Sequence, residues 1–218
     1  MKHKTSAAVM AAVMALSLMT GCGDKKSGGS AVATESGYAM LNPEAVNEKF
    51  KDYPDLDSGP EIYLSNTTAK AGELAKVTLS VKNADLQWNM CGIHVTYPEV
   101  LKPELSDPAE NRVRFDKGEA LEAASASICM EWAENREPML EKNKKGCLFF
   151  TTMFSDNQGM DGDIATFYLK VPDNAQSGAV YDLGYFFLET DMFSNMQNIP
   201  SFSKYAFTHM YGGTITVE

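Results

Sequence analysis

Histidine, cysteine and clustered acids are the side chains of this 218-residue chain that could do chemistry. His94 and His209 lie far apart in sequence, and no motif pairs either with a Ser or Cys nucleophile, so neither belongs to a recognisable triad. A lone His of this kind reads as a hydrogen-bonding surface residue or as a contact for a partner. The cysteines Cys22, Cys91, Cys129 and Cys147 follow no zinc-ligand spacing. The oxygen-rich run from Asp156 to Asp163, DNQGMDGD, invites a calcium reading. An EF-hand loop needs a bidentate Glu at its twelfth position, yet counting from Asp156 reaches Phe167 and counting from Asp161 reaches Pro172. The run therefore reads as a turn, since Asp, Asn and Gly are turn formers. No metal, no cofactor and no catalytic residue is expected, and the chain is not expected to be an enzyme.

The stretch that must position His94 is WNMCGIHVTYPEVL, residues 88–101. It alternates as a strand does when its two faces meet different surroundings. Cys91, Ile93, Val95 and Tyr97 share the face that reads as interior; Met90, Gly92, His94 and Thr96 share the other, which is neither charged nor strongly polar. Pro98, with no N–H for a ladder, should end the strand. Further runs read as strands: residues 61–64; 74–83, with Leu74, Val77, Leu79 and Val81 inward and a register slip after Leu74; 147–154; 164–171; 180–189; and 214–218. Residues 120–133 fit either a helix or a strand, and 190–211 form a long apolar-rich excursion. Short alternating runs punctuated by Gly and Pro favour an all-β domain.

The N-terminal third reads differently. Lys2 and Lys4 precede an apolar run from Ala7 to Met19, the layout of a signal peptide and too short to span a membrane comfortably. Leu18-Met19-Thr20-Gly21-Cys22 resembles the lipobox of bacterial lipoproteins, in which the Cys is lipidated and becomes the new N-terminus. Residues 1–21 are then a lipoprotein-type signal peptide. Residues 22–60 hold the lipidated Cys22, a Gly/Ser-rich flexible spacer and one short helix begun by Asn42 as N-cap and Pro43. Residues 61–218 form the domain. The expected location is the extracellular face of a bacterial membrane, lipid-anchored. The formal net charge of −10, two units more negative once the leader's lysines are gone, argues against nucleic acid and against a polybasic membrane patch. Three cysteines then remain. Cys91 reads as a buried apolar residue; Cys129 and Cys147 are candidates for a disulfide in an exported protein, with three free thiols as the other reading.

Four pieces, in order, resemble a cohesin module, the receptor half of the cohesin–dockerin pair of cellulosomes: AGELAKVTLSVKN, MCGIHVTYPEVLKPEL, TTMFSDNQGMDGDIATFYLKV and the closing GGTITVE. The resemblance covers about residues 61–218. Two departures stand out: the Asp of the family's Tyr-Asp-Pro is missing between Tyr97 and Pro98, and the segments 121–145 and 191–211 look long. The resemblance implies a jelly-roll β-sandwich of about nine strands whose sheet face binds a dockerin. Carried over by position, the dockerin-binding residues would be Met90, Gly92, His94 and Thr96 on one strand, Phe149, Thr151, Met153 and Ser155 on its neighbour, Asp156 at that strand's end, and Met192 with Phe193 after the eighth strand. The implied partner is a dockerin-containing enzyme or scaffoldin, with calcium held in the dockerin. The alternative function is carbohydrate binding on a similar sandwich, with Trp88 and Trp132 as candidate platform residues.

Overall fold

In the computed structural model, residues 37–123, 128–133 and 137–218 are described. The expected leader, the expected lipobox at Cys22 and the expected spacer to residue 36 lie outside the described residues. In chain order the elements are α1 (Pro43–Phe50), β1 (Glu61–Leu64), β2 (Thr67–Ala69), β3 (Leu74–Lys82), β4 (Met90–Pro98), β5 (Lys102–Pro103), β6 (Leu105–Asp107), β7 (Arg112–Val113), β8 (Phe115–Lys117), β9 (Ile128–Ala133), α2 (Pro138–Lys142), β10 (Lys145–Met153), β11 (Gly162–Lys170), β12 (Val180–Phe186), β13 (Met192–Ser194), α3 (Pro200–Thr208), β14 (Met210–Tyr211) and β15 (Gly213–Val217). Seven of these strands have only two or three residues, so eight longer ones carry the sandwich, close to the nine expected. One sheet runs β14-β1-β3-β11-β5, with β8 also on β11; the other runs β2-β15-β12-β4-β10-β9-β7-β6, with β13 also on β4.

The core lies between the sheets, where strand alternation sends it. Cys91, Ile93, Val95 and Tyr97 of β4 are buried, as are Leu148 and Phe150 of β10, facing Ala165, Phe167 and Leu169 of β11 and Val77, Leu79 and Val81 of β3. On β3 the inward position N-terminal to Val77 belongs to Ala75, and Leu74 is exposed. That strand alternates without the slip its Leu74 suggested, because an apolar residue at a strand end can stay in solvent at little cost. Of the ambiguous stretch 120–133, residues 120–121 lie in a short 3-10 helix and residues 128–133 form strand β9, paired along β10, while the excursion after residue 190 contains helix α3.

The run from Asp156 to Asp163 acts as a structural turn. The Asp161 carboxylate accepts the backbone N–H groups of Asn83 (3.0 Å) and Ala84 (2.7 Å), tying the turn to the end of β3. Gly159 lies flat against Trp88: a Cβ there would fall 2.1 Å from the indole Cε2, so only Gly permits the approach.

The segment before residue 61 packs against the sandwich. Residues 38–41 run beside β12 and β14: Leu41 N–H donates to Tyr185 O (2.9 Å) and Tyr185 N–H donates to Ala39 O (3.0 Å). Asn42 sits at the N-cap of α1 but makes no side-chain cap bond. Its amide instead grips Phe187 twice, Nδ2 donating to Phe187 O (2.7 Å) and Oδ1 accepting from Phe187 N–H (2.8 Å). Val46 and Phe50 are buried, and the Phe50 ring lies 6.1 Å from both Phe187 and Phe207. The short amphipathic pattern is real, but its apolar stripe packs onto the excursion that α3 closes.

Candidate binding face

β4 and β10 are antiparallel neighbours, with Met90 opposite Met153, Gly92 opposite Thr151, His94 opposite Phe149 and Thr96 opposite Cys147. Directly opposed residues share a face, so these eight form the sheet's outer surface. β13 adds to the free side of β4, placing Met192 opposite Gly92 and Ser194 opposite Met90. β9 lies along the far side of β10, placing Cys129 opposite Thr151 and Glu131 opposite Phe149.

This outer surface has a covered end and an open end. At the covered end Cys147 packs with Phe186 of β12, Leu140 of α2, and the partly buried Leu41 and Leu188. Thr96, two residues from His94, is also buried. At the open end stand Met90, His94, Phe149, Thr151, Met153 and Met192, around the buried Gly92, with Met153 51% and Met192 38% exposed. Ser155 and Asp156 continue past the end of β10 and are exposed.

Three expected contact residues therefore do not reach the open surface: Gly92 is buried beneath Met192 and Phe149, and Thr96 and Phe193 are buried too. Thr96 lies at the covered end. Phe193, opposite Cys91, follows the alternation inward and is fully buried, its ring 5.1 Å from Trp88 and 6.1 Å from Phe202. Met192 and Phe193 are adjacent in a strand, so they must point to opposite faces.

The disulfide reading also fails. Cys91, Cys129 and Cys147 are all free. Cys129 stands opposite Thr151, four residues along β10 from Cys147, a separation of about 13 Å at roughly 3.3 Å per residue. A disulfide bridges Cα atoms at under about 7 Å. Burial pushes the Cys147 thiol up to about 12 and the Cys91 thiol higher still.

His94 is held by two contacts. Its ring stacks on Phe149, with centroids 4.5 Å apart and planes 26° apart. Its Nδ1 lies 2.7 Å from Oδ1 of Asp191, a buried residue in the connection leading to β13. Asp191 Oδ2 accepts the Leu188 N–H at 3.2 Å. Burial raises the Asp191 carboxyl above its ordinary value, and the hydrogen bond from His94 opposes that rise. Nothing in the spacing of His94 and Asp191 signalled this pair; the available hint was that Asp191 precedes an expected contact, Met192.

The open patch has an apolar centre of three methionines and Phe149, bounded by polar groups. On the β9 side Arg112 donates to Cys129 Sγ (2.6 Å) and lies 3.5 Å from Glu131. On the β13 side a cavity of about 640 Å³ opens beside Met90 and Met192, walled by Phe50 and Tyr53 of the N-terminal segment and by Met196. An apolar centre with a polar rim is the anatomy of a protein–protein interface. The aromatic platform that carbohydrate binding would use is not assembled: Trp88 is fully buried, and Trp132, opposite Leu148, is partly buried against the core.

No family model and no curated protein matches the chain. Several solved structures do. A type III cohesin module from the cellulosomal ScaE cell-surface anchoring scaffoldin of Ruminococcus flavefaciens aligns over 77% of this chain and 94% of its own, at 23% identity and a TM-score of 0.60. The sixth cohesin of scaffoldin B from Acetivibrio cellulolyticus, solved with a mutant Cel5 dockerin, aligns over 74% of this chain and 100% of its own, at 14% identity and a TM-score of 0.52. The Coh-OlpC-Doc435 complex from Clostridium thermocellum, a type I cohesin–dockerin complex, gives 77% and 98% coverage at 12% identity and a TM-score of 0.50. Together with the sandwich of two β-sheets and the order of its strands, these similarities show that the chain carries the cohesin fold.

Proposed function

We propose that this chain is a surface cohesin: its open sheet face binds a dockerin module without covalent chemistry, and lipidated Cys22 tethers it to the outer face of the cell membrane. The observation that carries the reading is the patch of Met90, His94, Phe149, Met153 and Met192, an exposed apolar centre on the β4–β10 sheet of a cohesin fold. The similar Acetivibrio and Clostridium modules were solved bound to dockerins, and the similar Ruminococcus module comes from a cell-surface anchoring scaffoldin. The cargo would be a polysaccharide-degrading enzyme or a scaffoldin. Methionine suits such a face because its flexible thioether adapts to the partner's contour. Calcium would sit in the dockerin's own loops, so any metal dependence of binding would belong to the partner.

Calorimetry of residues 37–218 against a panel of calcium-loaded dockerins, repeated with chelator, tests the binding. Tight association that the chelator abolishes is expected for at least one, and it should disappear in the double variant Met90→Asp, Met153→Asp. Silence across the panel from a folded protein overturns the reading. For the tether, radiolabelled fatty acid should enter the full-length protein in bacteria and fail to enter Cys22→Ser.

A further inference from the structure

Among the described residues Asp191 is the one buried carboxylate. Its side chain is 1% exposed, and among the described residues its only ion-pair partner is His94. An ionised carboxylate accepts hydrogen bonds and cannot donate them. The 2.7 Å contact therefore requires the hydrogen to sit on His94 Nδ1. In the neutral ring Nε2 is then an acceptor. Nε2 has no hydrogen-bond partner among the described residues, and it is not among the enclosed polar atoms that lack one, so it remains available at the face. Stacking on Phe149 holds the ring plane, and turning the ring over would leave Asp191 buried and unpaired.

We infer that Asp191 is a positioning residue that sets the hydrogen-bonding polarity of His94, so that the face selects a partner bearing a hydrogen-bond donor, a hydroxyl or amide N–H, opposite Nε2. This rests on the dockerin-binding reading and adds to it the chemistry required at one point of the partner. A partner group that can only accept, such as a carboxylate, would meet an acceptor at Nε2 and leave both unsatisfied in the buried interface.

Two measurements on residues 37–218 test the inference separately. Nitrogen-15 NMR of the imidazoles in the unbound protein at neutral pH should show His94 protonated at Nδ1 and bare at Nε2, and Asp191→Asn should erode that preference. A ring protonated at Nε2 instead overturns the role of Asp191, whether or not any partner binds. Calorimetry with a dockerin that binds should then show affinity falling roughly tenfold in His94→Phe, which keeps a stacking ring but offers no acceptor, and falling less in His94→Gln, whose amide oxygen can still accept. Equal affinity of His94→Phe and the wild type overturns the donor requirement. If no dockerin binds, the partner requirement falls together with the binding reading, while the NMR result still judges Asp191.

Discussion

Met192 lies across Gly92. The two are opposed in the β13–β4 pairing, and a Cβ built on Gly92 would sit 3.4 Å from Met192 Cγ and 3.5 Å from Phe149 Cζ. The missing side chain lets a thioether and an aromatic ring close over the strand, so the apolar centre of the face is continuous from β13 to β10. Gly92→Ala should be tolerated, because the nearest atom belongs to a flexible side chain. Gly92→Asp places a charge at the centre of the patch and should lower dockerin affinity at least about a hundredfold by calorimetry; because Gly92 is buried beneath Met192 and Phe149, it should lower the melting midpoint as well.

Adjacent residues of β13 should separate binding from folding. Met192→Ala removes exposed surface and should weaken binding while costing less than about 1 kcal/mol of stability. Phe193→Ala opens a cavity between Trp88 and Phe202 and should cost about 3–5 kcal/mol in urea unfolding. Equal stability losses from both variants would contradict the inward placement of Phe193.

The segment from residue 38 to residue 60 packs on the sandwich and should contribute to its stability. Removing residues 37–60 uncovers Phe187 and Phe207 and takes away both hydrogen bonds from Asn42. A chain beginning at residue 61 should unfold at markedly lower urea than residues 37–218. Phe50→Ala alone should cost about 3–5 kcal/mol, since its ring is buried.

Buried thiols and phenols make the fold labile in alkali. The Cys147 thiol rises from 9.0 to about 12, and Cys91, Tyr97 and Tyr185 move in the same direction, each chiefly through burial. A group with a raised folded value stabilises fully below its unfolded value and loses that contribution as pH climbs to the folded one. For Cys147 the loss begins near pH 9 and reaches on the order of 4 kcal/mol by about pH 12. The urea midpoint should therefore fall steeply above about pH 9. In native residues 37–218 a thiol reagent should modify the partly exposed Cys129 first, with Cys91 and Cys147 reacting only on unfolding.

The period-two pattern of residues 90–97 settled by itself which side chains of β4 face the core, and the same logic placed Leu148 and Phe150 inside and Met153 outside. Those outcomes are local: a strand's alternation is set by its own backbone, and burying one face fixes the register. The run after Ser155 was readable as a turn for the same reason. What covers an outer face is a non-local matter. Thr96 and His94 stand on the same face of one strand, yet α2, Phe186 and the N-terminal segment close over one end and leave the other open. Two cysteines on neighbouring strands looked pairable until register set them four residues apart. Asp191 became the partner of His94 only when β13 folded back onto β4. Alternation along a strand is written into adjacent residues, whereas coverage, register between strands and the pairing of a buried charge depend on segments that meet only when the chain has closed.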